Sequence, residues 1–177
     1  MAALCALIFA DAAITVDRFH DGIKTMKFSG EIAVAAPRDA VFSKLQDIHF
    51  FASCIDGVRD LTPLDERRFE AVLETKVAYM TFKFKVTVEL TEVVAPELIA
   101  AKIEGAPMGL VGRLGATSAT RLIAAGDHTI IQYEIDTVLT GKLGGIGQPV
   151  LKAKAREMEK QFAKNLDAAF VTAQGAA

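Results

Sequence analysis

The chain has 177 residues, 51% of them hydrophobic and 24% charged, and its 20 Lys and Arg against 22 Asp and Glu leave a net charge of −2. This balance excludes the basic field of a nucleic-acid binder and the like-charge run of a solvated tail. A mean hydropathy of +0.30 points to a large interior, or to one lined for an apolar guest, in a single domain long enough to bury a core without staples.

The N-terminus, Met1 to Ala10, is apolar, but no basic residue precedes it as a secretory signal requires. No apolar run approaches the ~20 residues that span a bilayer. A regular strand pattern begins just after Met26, so residues 1–25 are expected to be an extension outside the domain, disordered or added by a mis-assigned start. The rival reading is an extra element covering the domain. Two cysteines, Cys5 and Cys54, are too few for a disulfide framework, so a reducing cytoplasm is the expected compartment.

From Lys27 to Ala35 apolar and polar residues alternate, which predicts the first strand. Pro37 falls where a helix would start, and its missing N–H costs nothing there. Ala40, Val41, Phe42 and Leu45 then form a helical stripe. Asp47 is placed to cap a second short helix through His49–Ala52, and Asp56-Gly57 reads as a turn. Strands follow at Val58–Leu64, Phe69–Val77, Met80–Leu90 and Leu98–Glu104. The third of these alternates strictly, with Met80, Phe82, Phe84, Val86, Val88 and Leu90 on one face. Gly105–Gly112 is expected to be a loop or an irregular edge. Leu114–Ala124 and Thr129–Leu139 are the last strands, flanking the turn at Gly126-Asp127.

Gly141-Lys142-Leu143-Gly144-Gly145-Ile146-Gly147 reads as a hinge, and a long amphipathic helix runs from it to Phe170. Its apolar stripe is Leu151, Ala155, Met158, Phe162, Leu166 and Ala169, with Phe170 beside it. Lys152, Lys154, Arg156, Glu157, Glu159, Lys160 and Lys164 are expected to face solvent. A meander with one apolar face needs a cover, and this helix supplies it. The expected fold is α+β, a helix-grip: a curved antiparallel sheet of about seven strands wrapped around a long C-terminal helix, with two short helices after the first strand. The domain is expected to span residues 26–171, with 172–177 as a frayed tail.

Chemistry-bearing constellations are sparse. His20, His49 and His128 are scattered without a partner at ligand spacing, so no metal site is expected. Cys54 lies between Ser53 and Ile55 and reads as a buried, inert thiol. The inward faces carry Thr75, Ser118, Thr120, Tyr133 and Thr137 as polar members but no carboxylate or imidazole, so no catalytic residue is assigned and an enzyme is not expected. Gly144-Gly145-Ile146-Gly147 matches neither phosphate-loop pattern, and Lys142 precedes the glycines instead of following them. From Gly141 to Phe170, six basic residues face three acidic ones (Glu157, Glu159, Asp167), a bias that suits an anionic lipid surface or an acidic partner.

Met26-Lys27-Phe28-Ser29-Gly30, Ala36-Pro37-Arg38-Asp39-Ala40-Val41-Phe42, Cys54-Ile55-Asp56-Gly57, Gly109–Gly115 and Gly141–Gly147 together resemble the CoxG family of carbon monoxide dehydrogenase subunits. That family belongs to the START/Bet v1-like (SRPBCC) superfamily. The likeness covers about Met26 to Phe170, with Asp56 standing where the family carries proline. Many members continue through a proline-rich linker into a membrane anchor, and this sequence stops at Ala177 without one.

The resemblance implies a non-catalytic accessory of a molybdenum-containing carbon monoxide dehydrogenase or related hydroxylase, associated with membrane recruitment or with passing electrons toward quinone. It also implies a hydrophobic cavity between sheet and helix, with no cofactor. The expected occupant is lipid-like, with a quinone among the candidates. The expected lining is Phe82, Phe84, Tyr133, Ile135, Met158 and Phe162, with Phe50, Phe51, Met108 and Leu110 near the mouth. Two other readings stay open at this point. One is an interaction module whose cavity is filled by side chains and whose basic helix docks on a hydroxylase or on the inner face of the membrane. The other is a cyclase/aromatase-like enzyme of the same superfamily.

Overall fold

The structure, a computed structural model, describes residues 19–20, 23–77 and 80–174. A two-residue strand, Phe19–His20 (β1), precedes the first long strand, Ile23–Val34 (β2). That strand begins at Ile23, not at the expected Lys27. The alternation runs back through buried Met26 to buried Lys24, so the pattern seen from Phe28 onward simply continues upstream. Residues 19–20 and 23–25 of the stretch expected to precede the domain are thus paired into the sheet, and most of that stretch, Cys5 included, lies outside the described residues.

Arg38–Gln46 (α1) follows Pro37, whose φ of −61° already suits a helix entry. Ile48–Ser53 (α2) is capped as expected: the Asp47 carboxylate accepts from the backbone N–H of His49 at 3.0 Å and of Phe50 at 3.1 Å. Gly57 then turns the chain with φ +85°, and a Cβ there would overlap the Glu74 carbonyl oxygen, so both conformation and space demand glycine.

Six strands follow as a meander: Val58–Pro63 (β3), Arg68–Val77 (β4), Met80–Val94 (β5), Leu98–Pro107 (β6), Gly112–Ala125 (β7) and His128–Gly141 (β8). All pairings are antiparallel, and the sheet order is β1-β2-β8-β7-β6-β5-β4-β3. Seven long strands therefore carry the sheet, with β1 as a short edge. The expected loop at Gly105–Gly112 shrinks to the turn at 108–111. Strand β6 continues through Pro107, opposite Phe84, and β7 starts at Gly112, opposite Gly141. Gly105 pairs with Leu114, and a Cβ there would stand 3.0 Å from the Leu114 side chain; the missing side chain lets Leu114 fold over β6.

The two glycine-rich segments meet at this corner. Gly141 has φ +63°, and a Cβ on it would stand 2.6 Å from the Val111 carbonyl oxygen and 2.9 Å from Gly112 Cα. The close approach sets the β7 start against the β8 end and launches the hinge, in which Lys142 N–H donates to Val111 O at 3.1 Å. The final helix, Gln148–Gln174 (α3), runs past the expected tail boundary at residue 172. Its stripe of Ala155, Met158, Phe162, Leu166 and Phe170 is buried against the concave face, where Phe28, Leu73, Phe82, Phe84, Ile103 and Ile135 are also buried. The convex face is laced with cross-strand pairs such as Lys27–Asp136 at 3.1 Å and Lys83–Glu74 at 3.1 Å. No helix among the described residues is long and apolar enough to cross a membrane.

Candidate functional site: a chamber under the C-terminal helix

Between the concave face and α3 the side chains leave a chamber of about 80 Å³. Its floor is set by strand alternation, which turns Met26 and Phe28 of β2, Phe82 and Phe84 of β5, and Thr137 and Leu139 of β8 inward. Its roof is Leu151, Ala155 and Met158, at helical spacing on α3. Leu143 and Ile146 close the hinge end, so the segment after Gly141 is part of the wall.

Beside this chamber lies a wetter vestibule of about 230 Å³, lined by Cys54, Asp56, Glu74, Lys76, Glu157 and Gln161. Thr75, Lys154 and Met158 border both spaces. The partition is therefore an unbranched thioether, a hydroxyl and a lysine stem. Methionine is the adaptable member of this wall, with soft torsions and a polarizable sulfur. The chamber alone is smaller than the ~150 Å³ of an engineered cavity that takes up benzene. With the partition moved aside, the two spaces together approach the ~300 Å³ at which small-molecule pockets begin.

The residues expected to line a cavity divide into several groups. Phe82, Phe84 and Met158 face the chamber. Phe162 borders the vestibule and packs its ring on Phe51 at 5.4 Å between centroids, a tilted aromatic pair holding α2 to α3. Tyr133 and Ile135 are buried on the concave face but outside the lining, and the Tyr133 hydroxyl donates to Glu159 at 2.6 Å. Phe50 is half-buried under the Lys44 ammonium, 5.0 Å from its ring centroid. Met108 and Leu110 sit on the β6–β7 turn, 59% and 37% exposed, and touch neither space.

Two lysines depart from the sequence expectation. The charge pattern of α3 points Lys154 to solvent, but its side chain is only 19% exposed; its stem lies along the partition while its ammonium meets Glu157 at 3.0 Å. Glu159, expected at the solvent face as well, is half-buried through its bond with Tyr133. Lys24 is 2% exposed and donates to the Ile146 carbonyl at 2.5 Å, which ties β2 to the hinge. Burial pushes its pKa down. A signal for it exists in the sequence: counting back two residues from Met26 turns Lys24 inward.

Cys54 is buried, and burial pushes its thiol pKa up, against a smaller opposing pull from a hydrogen bond with Ser53. It stays protonated at neutral pH, the opposite of an activated nucleophile. Among the described residues no cluster of His, Cys, Asp or Glu has the arrangement of a metal site.

Comparison with known proteins agrees with this architecture. No curated protein matches the chain in sequence. A conserved protein from Geobacillus kaustophilus superposes with TM-score 0.76 at 24% identity, over 82% of this chain and 95% of that one. A START superfamily protein from Mycobacterium smegmatis gives TM-score 0.62 at 15% identity, over 81% and 95%. A Streptomyces aromatase/cyclase gives 0.50 at 17% identity, over 84% and 90%. At these identities the likeness establishes a shared fold, START/Bet v1-like, and nothing about chemistry. The family model for the CoxG subunit of carbon monoxide dehydrogenase matches residues 30–171, most of the chain, and this protein belongs to that family.

Proposed function

We propose that this protein is a non-catalytic accessory that holds a lipid-like ligand, a quinone among the candidates, beneath α3. The observation that carries the reading is the apolar chamber itself. Protein interiors pack to crystal density with few voids larger than a water. An enclosed void costs about 24 cal/mol per Å³, so for about 80 Å³ the ceiling is roughly 1.9 kcal/mol, less where the space opens toward the vestibule.

In this reading Met158 and the Lys154 stem move aside, and the ligand occupies chamber and vestibule together. Apolar burial at roughly 25 cal/mol per Å² then supplies most of the affinity. The charged neighbour of the chamber, Lys154, is already paired with Glu157, which favours binding over proton transfer. The partner would be a molybdenum-containing carbon monoxide dehydrogenase or a related hydroxylase, as the family name suggests. Recruitment to the inner face of a membrane would use the outer side of α3, where Arg156, Lys160 and Lys164 are exposed. The protein would then work in the cytoplasm, at times peripheral to that surface.

The test is gentle purification followed by organic extraction and mass spectrometry. The reading expects a lipid or quinone at close to one per chain. An empty protein that co-purifies with a hydroxylase, and loses it on charge reversal at Lys152 and Lys160, would favour the interaction module instead.

A further inference from the structure

Among the described residues, two buried hydroxyls have no protein partner: Thr137 Oγ1 and Ser118 Oγ. Their neighbours explain why. Thr137 lies between Met26 of β2 and Ala116 of β7, and Ser118 between Ala101 of β6 and Ile135 of β8. Each stands in a row of apolar side chains on the concave face, so neither has a side-chain acceptor beside it. The two are diagonal neighbours across β7 and β8, on the order of 7 Å apart at the backbone. Two other buried residues have their hydroxyls satisfied: Thr129 donates to the Ala36 carbonyl at 2.7 Å, and Tyr133 to Glu159.

A buried, unpaired hydroxyl is a liability that a valine of the same shape would remove. Thr137 also lines the chamber, and its hydroxyl, sealed in the wall as the side chain stands, reaches that space by a rotation about χ1. We infer that Thr137, backed by Ser118, is the polar subsite of the chamber, and that it donates a hydrogen bond to a neutral carbonyl oxygen of the bound ligand. The inference rests on the ligand-binding reading above and adds the chemical class of the group that enters first. Lys24 is engaged with the Ile146 carbonyl and Lys154, at the partition, with Glu157, so the wall is set for a dipole and not for a carboxylate.

The experiment uses three probes of nearly one shape on the full chain: acetophenone, α-methylstyrene (CH₂ in place of the carbonyl oxygen) and benzoate. Wild type is expected to bind acetophenone more tightly than either of the others. Thr137→Val should weaken acetophenone by roughly three- to tenfold, the worth of one neutral hydrogen bond, and leave α-methylstyrene within about twofold. The ligand-free variant should melt no lower than wild type, because it loses an unpaired hydroxyl and keeps its shape. Thr137→Ser should retain the preference for the carbonyl. Equal binding of acetophenone and α-methylstyrene to wild type would overturn the subsite while leaving the chamber as a binding site. So would a Thr137→Val variant that weakens both probes alike or melts lower. Tighter benzoate would mean that a lysine beside the chamber, Lys154 or Lys24, reads an anion, which also overturns it. Failure of all three probes to bind would overturn the subsite together with the ligand-binding reading.

Discussion

If the space beneath α3 is a true void, a larger side chain at Ala155 should fill it and stabilise the empty protein. Ala155 is 4% exposed, sits mid-stripe on α3 and contributes to the chamber roof. Ala155→Leu adds three carbons. At about 0.8 kcal/mol per buried methylene the gain is about 2.4 kcal/mol. The cost of the 80 Å³ void, roughly 1.9 kcal/mol at 24 cal/mol per Å³, gives nearly the same ceiling by a separate route. Helix propensity hardly changes, and imperfect rotamer fit subtracts part of the gain. A net gain of about 1–2 kcal/mol is expected, which for a chain of this size raises Tm by roughly 2–8 °C. The assay is a thermal melt of delipidated wild type and variant, followed by binding of an apolar probe, which the variant should lose. A fall in Tm of several degrees would mean that the side chains already fill the space. The chamber account would then be wrong and the packed-core reading right.

Other substitutions probe the scaffold around the site. Asp47→Ala removes both cap bonds of α2 and should cost about 1 kcal/mol in urea denaturation; no change would mean that these bonds do not hold in solution. Gly57→Ala forces a Cβ onto the Glu74 carbonyl at φ +85° and should cost at least about 2 kcal/mol, with a change below about 0.5 kcal/mol contradicting the turn geometry. Lys24 has a folded-state pKa below its usual 10.5, so the folded protein releases that proton at lower pH than the unfolded chain. Its stability contribution therefore rises with pH through the interval between the lowered value and 10.5. Wild type should gain on Lys24→Met between about pH 7 and pH 10 when both are unfolded in urea, and a constant or shrinking difference would contradict its burial as a charged group.

The elements legible in the sequence are those with a single dominant periodicity or a local hydrogen-bond device. Strand β5 alternates strictly from Met80 to Leu90, α3 carries an unbroken stripe from Leu151 to Phe170, and Asp47 is an N-cap by chemistry alone. The start of β2 is hidden because Lys24 breaks the expected polarity of an inward position, which its bond to the Ile146 carbonyl helps to make tolerable. Charge patterning misplaces Lys154 because it treats a lysine as its ammonium, whereas the four-carbon stem is what meets Met158 and Thr75. Met108 and Leu110 lie away from the chamber because turn position, not hydrophobicity, decides exposure there. The size of the chamber depends on rotamers of Met158, Phe82 and Phe84, packed from separate elements, and no local pattern encodes that.

Calorimetric titration of delipidated protein with a short-chain quinone, at several temperatures, decides whether the chamber takes a ligand. Saturation is expected at one ligand per chain, with a negative ΔCp from apolar burial and loss of the signal in Ala155→Leu. Absence of saturable heat at every temperature, or binding of the same strength in Ala155→Leu, would contradict the chamber as a binding site.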